Sequence, residues 1–208
     1  MPPYRTLAMG KAWVKARKRD PYYRSAKAQG LRSRAVFKLL QIQDRFGLIY
    51  PGDTVLDLGA APGGWSRASV ELVGPKGRVV AVDRVRMAPM ERVTFVRGDF
   101  SDPNVHTAIL EVLGTPADVL VCDAAPKLTG HRSLDVARTL GLTRAALDLS
   151  RKALRPGGRF AAKAFQGEGY GGFLQDMEEE FALVKGYVPP ATTAGSAETY
   201  VIGLDRLA

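Results

Sequence analysis

Asp57 ends an apolar run, and the ten residues that begin with it read DLGAAPGGWS. The run, the glycine-rich turn and the apolar pattern at 66–72 predict a strand, a tight loop and a helix. Glycine lets a ligand approach the backbone closely, and free N–H groups at a helix start favour a carboxylate or phosphate. The Asp57 carboxylate suits an amine. The stretch therefore fits an amino-acid moiety, which carries both charges.

Three further aspartates, Asp83, Asp99 and Asp123, follow predicted strands. Asp83 could accept both ribose hydroxyls of a nucleoside, and Asp99 could meet an adenine amino group. Taken singly, Asp83 and Asp99 fit a turn or a helix cap equally well. Asp123 follows four apolar residues and is costly to bury unless it is paired. Together with Asp57 and its loop, these residues favour a nucleoside site.

Lys163 interrupts the apolar strand sequence FAAKAF. A lysine in such a strand is uncommon unless it is paired or lies at a sheet edge. Both interpretations stay open from the residues alone. Taken singly, Lys38 is typical of a solvated helix face and Glu198 of an exposed strand start.

The apolar periodicity predicts strands that alternate with helices. Strands are expected at 54–58, 78–82, 93–96, 118–122, 159–165, 183–188 and 199–204, and helices at 33–47, 66–72, 105–113, 134–154 and 172–180. The glycines after Pro156 should end the fourth helix, and no helix separates the last two strands, which should pair antiparallel. Repeated strand–helix units predict an α/β fold with a mostly parallel sheet. Ligands of such sheets lie beyond the carboxyl ends of the strands.

The chain has 208 residues, which suits one domain. We expect no membrane span, because no apolar run reaches about 18 residues. The basic N-terminus lacks the apolar region of a signal peptide. One cysteine, Cys122, fits a reducing cytoplasm, and one cysteine with two histidines argues against a zinc site.

Residues 1–38 account for the whole net charge of +9, because they contain eleven basic residues and Asp20 is their only acid. Aromatic residues lie among the basic ones, a combination that suits RNA phosphates and bases. A solvated basic tail is the alternative. Residues 1–20 are expected to be poorly ordered or to depend on a partner for order.

Several blocks of this chain resemble the FtsJ/RrmJ family of ribose 2′-O-methyltransferases, which act on large-subunit ribosomal RNA. The matching blocks are GLRSRAVFKL at 30–39, DLGAAPGGWS at 57–66, GDF at 98–100, DAAP at 123–126 and KAFQGEG at 163–169. The resemblance extends from about Asp20 to the end of the chain. Ala124 stands where the family often has Met, and 194–197 lacks the family's basic residues.

The resemblance implies a Rossmann-like class I methyltransferase fold. Its features are a mostly parallel seven-stranded sheet, an antiparallel C-terminal strand, helices on both faces, and one domain at 21–208 behind a basic RNA-binding tail at 1–20. It implies S-adenosylmethionine as cofactor, held at Asp57, Gly59, Ala60, Pro62, Gly63, Trp65, Asp83, Asp99, Phe100 and Asp123. It implies a catalytic set of Lys38, Asp123, Lys163 and Glu198. RNA contacts are expected at Arg24, Lys27, Arg32 and Arg34.

The expected reaction is methylation of a ribose 2′-hydroxyl, at a uridine of ribosomal RNA within the large subunit, by a monomeric enzyme. Lys163 is the candidate base, with its pKa lowered by Lys38 and by burial and its orientation set by Asp123. Alternatively, Lys163 stays charged and steers the hydroxyl. No metal is expected, because the sulfonium leaves as a neutral thioether.

Three other functions stay open. The same reaction could act on transfer RNA, or the chain could be a non-catalytic RNA-binding assembly factor. A nicotinamide oxidoreductase is disfavoured, because the glycines after Asp57 do not follow the Gly-x-Gly-x-x-Gly spacing.

Overall fold

A computed structural model describes residues 33, 35–193 and 195–208, so the predictions for the N-terminal tail and for Arg24, Lys27, Arg32 and Arg34 lie outside the described residues. The helices are α1 (Val36–Phe46), α2 (Gly64–Val73), α3 (Pro103–Leu113), α4 (Arg132–Ala153) and α5 (Tyr170–Glu178). The strands are β1 (Thr54–Leu58), β2 (Arg78–Asp83), β3 (Val93–Arg97), β4 (Ala117–Cys122), β5 (Leu154–Phe165), β6 (Phe181–Tyr187) and β7 (Glu198–Arg206).

The seven strands form one sheet in the order β3-β2-β1-β4-β5-β7-β6. Strands β1 to β5 pair in parallel, and β7 is antiparallel to both β5 and β6. This arrangement confirms the mostly parallel sheet and the antiparallel C-terminal strand. No helix in the described part of the chain is long and apolar enough to cross a membrane.

Two apolar cores lie on opposite faces of the sheet. Alternate residues of one strand enter different cores, as the two-residue period of a strand requires: Leu56 packs in one core and Val55 in the other. Helices α3, α4 and α5 cover the first core, and α1 and α2 cover the second. Helices on both faces are therefore confirmed.

The start of β5 differs from the sequence-based expectation. Residues 156–158 were expected to form a loop, but the strand runs through them as an irregularity. Ala117 pairs with Leu154 and Val119 pairs with Arg159, so four residues of β5 oppose Asp118 alone. The Asp118 carboxylate holds this bulge, accepting from Arg155 Nε at 2.7 Å and from the Thr54 backbone N–H at 2.8 Å.

The loop between β1 and α2 is shaped by a close approach within the protein. Gly59 has φ +72°, and a Cβ there would lie 2.6 Å from the Ala124 Cβ. Gly63 has φ +101° and caps α2, and the Ala61–Pro62 peptide is cis. At Gly59, glycine is therefore required by the segment after β4.

We predict that Gly59→Ala is more destabilising than Gly114→Ala. Both glycines have positive φ, but nothing lies within 4 Å of the position of a Cβ at Gly114. Both variants carry the cost of a left-handed alanine, about 1–2 kcal/mol. Gly59→Ala adds an overpacking cost of about 1–3 kcal/mol. Urea unfolding of the two variants measures the difference, and equal free energies of unfolding would contradict this account.

Candidate active site

Four charged side chains from four separate elements meet beyond the carboxyl ends of β4 and β5. Lys38 comes from α1, Asp123 follows β4, Lys163 lies in β5, and Glu198 begins β7. The Lys38 Nζ is 2.5 Å from Glu198 Oε1, and the Lys163 Nζ is 2.7 Å from Asp123 Oδ1. The Lys163 Nζ is also 3.9 Å from Glu198 Oε2, which joins the two pairs. We call these four residues the charged cluster.

Lys163 occupies an interior strand, between β4 and β7, and its side chain is 8% exposed. The interpretation of an edge or outward-facing lysine is therefore wrong. Its ammonium also donates to the Asp123 backbone oxygen at 2.9 Å. On the opposite side, the Thr143 hydroxyl of α4 donates to the Lys163 backbone oxygen at 2.6 Å. Both ends of the residue are thereby fixed.

Lys38 and Glu198 are buried together, with side chains 7% and 12% exposed. The sequence-based expectations of a solvated Lys38 and an exposed Glu198 are both wrong. The Thr192 hydroxyl donates to Glu198 Oε1 at 3.2 Å, so the loop before β7 also holds this carboxylate. Burial of two cations is compensated here by two anions.

The pKa of Lys163 differs from the expectation. Burial disfavours its charged form, but the carboxylates of Asp123 and Glu198 outweigh burial and raise the pKa above the ordinary value of 10.5. The expectation of a lowered pKa gave the charge of Lys38 and burial more weight than the carboxylates. Glu198 pairs with Lys38 and offsets the charge that would have repelled Lys163. In this structure Lys163 is therefore charged at neutral pH.

Tyr200 belongs to the same site, although it was not predicted from the sequence. Its hydroxyl donates to Asp123 Oδ1 at 2.5 Å, and its ring stacks on Trp65 with centroids 5.6 Å apart. Burial, with the charges of Asp123 and Glu198, raises the pKa of Tyr200 well above its ordinary value. Tyr200 lies two residues after Glu198, so the strand period could have placed both side chains on one face.

A cleft of about 370 Å³ opens beside Asp123. Its wall includes five residues predicted to bind the cofactor, namely Gly59, Asp83, Asp99, Phe100 and Asp123. Ala61, Ala124 and Leu142 add apolar surface. Its carboxylates make it suited to a ligand with positive charge and hydrogen-bond donors. Among the described residues, no group of three or more histidine, cysteine or acidic side chains could hold a metal ion.

Asp83 and Asp99 serve local turns as well as the cleft wall. Asp83 accepts from the Ala61 backbone N–H at 2.9 Å and from that of Val85 at 2.7 Å. Asp99 accepts from the Ser101 hydroxyl at 2.6 Å, and this bond contributes most to lowering the pKa of Asp99. Each aspartate can therefore stabilise a turn and also line the cleft.

Trp65 and Asp57 do not line the cleft. Trp65 is 3% exposed, and its indole N–H donates to the Ala35 backbone oxygen at 2.8 Å. Asp57 is fully buried, and its Oδ2 accepts from the Ser66 hydroxyl at 2.5 Å. Its other oxygen, Oδ1, has no hydrogen-bond partner in the described part of the chain. Of the remaining expected positions, Pro62 lines a neighbouring cleft, while Ala60 and Gly63 form the loop.

Comparison with known proteins gives consistent matches over most of the chain. Residues 31–206 match the family model described as FtsJ-like methyltransferase. A Methanothermobacter thermautotrophicus protein named ribosomal RNA large subunit methyltransferase E is 45% identical over 199 residues, covering 95% of this chain and 94% of that protein. A Pseudomonas fluorescens protein of the same name is 41% identical over 191 residues, 91% of each chain.

A crystal structure from Plasmodium falciparum, of a protein named for ribosomal RNA methylation, has a TM-score of 0.77. The match covers 85% of this chain and 99% of that one at 24% sequence identity, so it shows the fold alone.

Asp57 predicts a pH dependence of stability. Burial raises its pKa from 3.8 to about 7, so the folded protein retains a proton that the unfolded chain releases. The contribution of Asp57 to the free energy of unfolding is complete below pH 3.8 and is lost as the pH rises to about 7. Asp57→Asn removes this loss, which has an upper limit of about 4 kcal/mol.

Chemical denaturation of both proteins between pH 4 and pH 8 measures the effect. We expect the variant to gain stability relative to the natural protein as the pH rises. A difference that stays constant across that range would show that Asp57 is already ionised.

Proposed function

Because this chain belongs to the FtsJ-like methyltransferase family, we propose that it methylates a ribose 2′-hydroxyl of large-subunit ribosomal RNA, with S-adenosylmethionine as the methyl donor. The observation that carries the proposal is the charged cluster, which lies directly beside a carboxylate-lined cleft. Relatives aligned over nine-tenths of both chains are named for ribosomal RNA, which favours this substrate over transfer RNA.

The cleft suits this cofactor chemically. S-adenosylmethionine carries a sulfonium, an ammonium, ribose hydroxyls and an adenine amine, all of which interact favourably with carboxylates. We assign the ribose hydroxyls to Asp83 and the adenine amine to Asp99, next to Phe100. A nicotinamide dinucleotide fits poorly, because its two phosphates would be repelled by the same carboxylates.

Lys163 is the group that we place against the ribose hydroxyl. An ammonium has three N–H donors, and Asp123 accepts from Lys163 through both its Oδ1 and its backbone oxygen. The third direction is left for the ribose hydroxyl: charged Lys163 has an N–H there, and neutral Lys163 has the lone pair that accepts the hydroxyl proton. Asp123 orients Lys163, Tyr200 orients Asp123, and Glu198 holds Lys38. Such fixed positions contribute to the rate because the reacting groups need not be ordered during the reaction.

The bound cofactor supplies a methyl group on a positively charged sulfur. We propose that neutral Lys163 accepts the hydroxyl proton while the oxygen gains the methyl group, and a neutral thioether remains. The raised pKa leaves only a small neutral fraction of Lys163 at neutral pH. A cation in the cleft opposes the effect of Asp123 and so lowers that pKa.

The proposal also includes the basic N-terminal segment. Residues 1–20, with Arg24, Lys27, Arg32 and Arg34, are assigned to RNA phosphates, and residues 21–208 to one catalytic domain. We propose a monomer that acts in the cytoplasm, where Cys122, which is free and buried, stays reduced.

Mass mapping of ribose methylation tests the function. Ribosomal large subunits and transfer RNA that lack the modification are each incubated with the protein and S-adenosylmethionine. We expect one methylated ribose in the ribosomal RNA and far slower methylation with Lys163→Ala. Methylation of transfer RNA alone would contradict the substrate, and no methyl transfer to either RNA would contradict the activity.

We predict that Asp83→Ala weakens cofactor binding by about 1–3 kcal/mol, because a charged hydrogen-bond acceptor is lost. Asp102→Ala is the control. Asp102 also accepts from a backbone N–H, that of Asn104 at 2.9 Å, but it caps α3 and does not line the cleft. Calorimetry with S-adenosylmethionine should show a loss of affinity for Asp83→Ala only. Equal affinities would remove Asp83 from the cofactor site.

We predict that Lys163→Ala lowers turnover about 10²–10⁴-fold, the usual range for a lost general base. Lys163→Arg should fail nearly as badly, because arginine keeps its proton near neutral pH. Turnover of the natural protein should rise with pH, about tenfold per unit below the pKa of the base. A flat pH profile together with an active arginine variant would instead make Lys163 a charged positioning group.

A further inference from the structure

The cleft beside Asp123 continues into two further clefts. A second cleft, of about 670 Å³, shares Ala61, Asp83 and Val85 with the first. A third, of about 360 Å³, shares Arg86, Met87 and Ala88 with the second. The second and third clefts together form a continuous surface, which we call the edge groove. It runs from the cofactor cleft to β3, the edge strand of the sheet.

The charge along this path changes sign. The wall of the first cleft has three aspartates and one arginine, Arg84, which pairs with Asp99 at 3.4 Å. The third cleft has Arg86 and Arg97, and none of the described residues that line it is acidic. Between the arginines lie Met90, Val93 and Phe95, which give the groove an apolar floor. The edge groove therefore offers cations and apolar contact together.

The arginines of the edge groove are available for an anion. Arg86 is exposed and has no hydrogen bond or ion pair with another described residue. Arg97 is also exposed, and it makes one long bond, from its Nε to the Arg84 backbone oxygen at 3.4 Å. Arg92 differs, because its guanidinium donates to backbone oxygens of Val70 and Gly74. Neither Arg86 nor Arg97 has its guanidinium held by two backbone oxygens.

The one anionic group of S-adenosylmethionine is the carboxylate of its methionine part, whereas the groove adjoins Asp83, to which we assign the ribose, so the cofactor gives no reason for these cations. We propose that the edge groove binds single-stranded RNA that flanks the target nucleotide, a proposal that rests on the proposed function. Arg86 and Arg97 contact phosphates, and Phe95 with the methionines contacts a base. Basic grooves with apolar or aromatic floors bind single strands in this way. The aspartates of the first cleft repel phosphates, so phosphate contacts begin only beyond Asp83.

The double variant Arg86→Gln/Arg97→Gln tests this surface in the full-length protein. The matched control is Lys76→Gln/Lys152→Gln, which removes the same charge from exposed positions before the amino ends of β2 and β5. The probe is a single-stranded fragment of large-subunit ribosomal RNA, and anisotropy gives its affinity from 50 to 300 mM salt. Calorimetry with S-adenosylmethionine verifies that each variant retains the cofactor cleft.

Loss of two single-strand phosphate contacts should make the slope of log affinity against log salt less steep by about 1.4. The KM for RNA should rise, while cofactor affinity stays at the natural value. The control should keep the natural slope. A slope equal to that of the control would overturn the proposal. An equally reduced slope in the control would also overturn the proposal, because the reduction would then reflect the net charge of the protein alone.

The outcome is separate from that of the proposed function. If the natural protein methylates no ribosomal RNA, the proposed function fails, whatever the groove binds. If it methylates ribosomal RNA and the groove variant has the natural KM and salt slope, the function stands and the groove proposal fails.

Discussion

The ammonium of Lys163 is a buried charge, and the active site is built around its compensation. A buried cation without a partner would lose its proton or unfold the region around it. Asp123 and Glu198 prevent both, and they come from the ends of the two strands that flank β5 in the sheet. Glu198 in turn holds Lys38, which ties α1 to the sheet. One electrostatic requirement thus fixes the relative positions of four elements.

The members of the charged cluster differ in how well they could be predicted from the sequence. The alternation of strands and helices is local, so 54–58 and 118–122 could be predicted from apolar patterns. Lys163 was recognisable because a charge in FAAKAF needs a partner. Lys38 and Glu198 carry no such local signal: they are 160 residues apart in the chain, and only the topology brings them together. The resemblance to the family assigned these two residues to the site, and only the structure showed that they are shielded from solvent.

Other differences have equally specific causes. Pro156 and its glycines favour a loop locally, but pairing with β4 on both sides of Asp118 incorporates them as a bulge. The pKa of Lys163 was expected to fall because the charge of Lys38 and burial were given more weight than the carboxylates of Asp123 and Glu198, whose distances from Lys163 only the structure supplies. Asp57 was expected at the ligand and is instead enclosed, since burial of a strand end depends on what packs over it.

The antiparallel direction of β7 determines when the site can be completed. A strand that runs opposite to β5 brings its first residue, Glu198, to the edge where β5 ends. Every residue in the wall of the cleft beside Asp123 lies within 59–142, whereas Lys163 and Glu198 come later in the chain. As the chain is synthesised, the residues of this cleft therefore emerge before Lys163 and Glu198. A nascent chain that stops before β5 contains every residue of the cleft wall and still lacks half of the charged cluster.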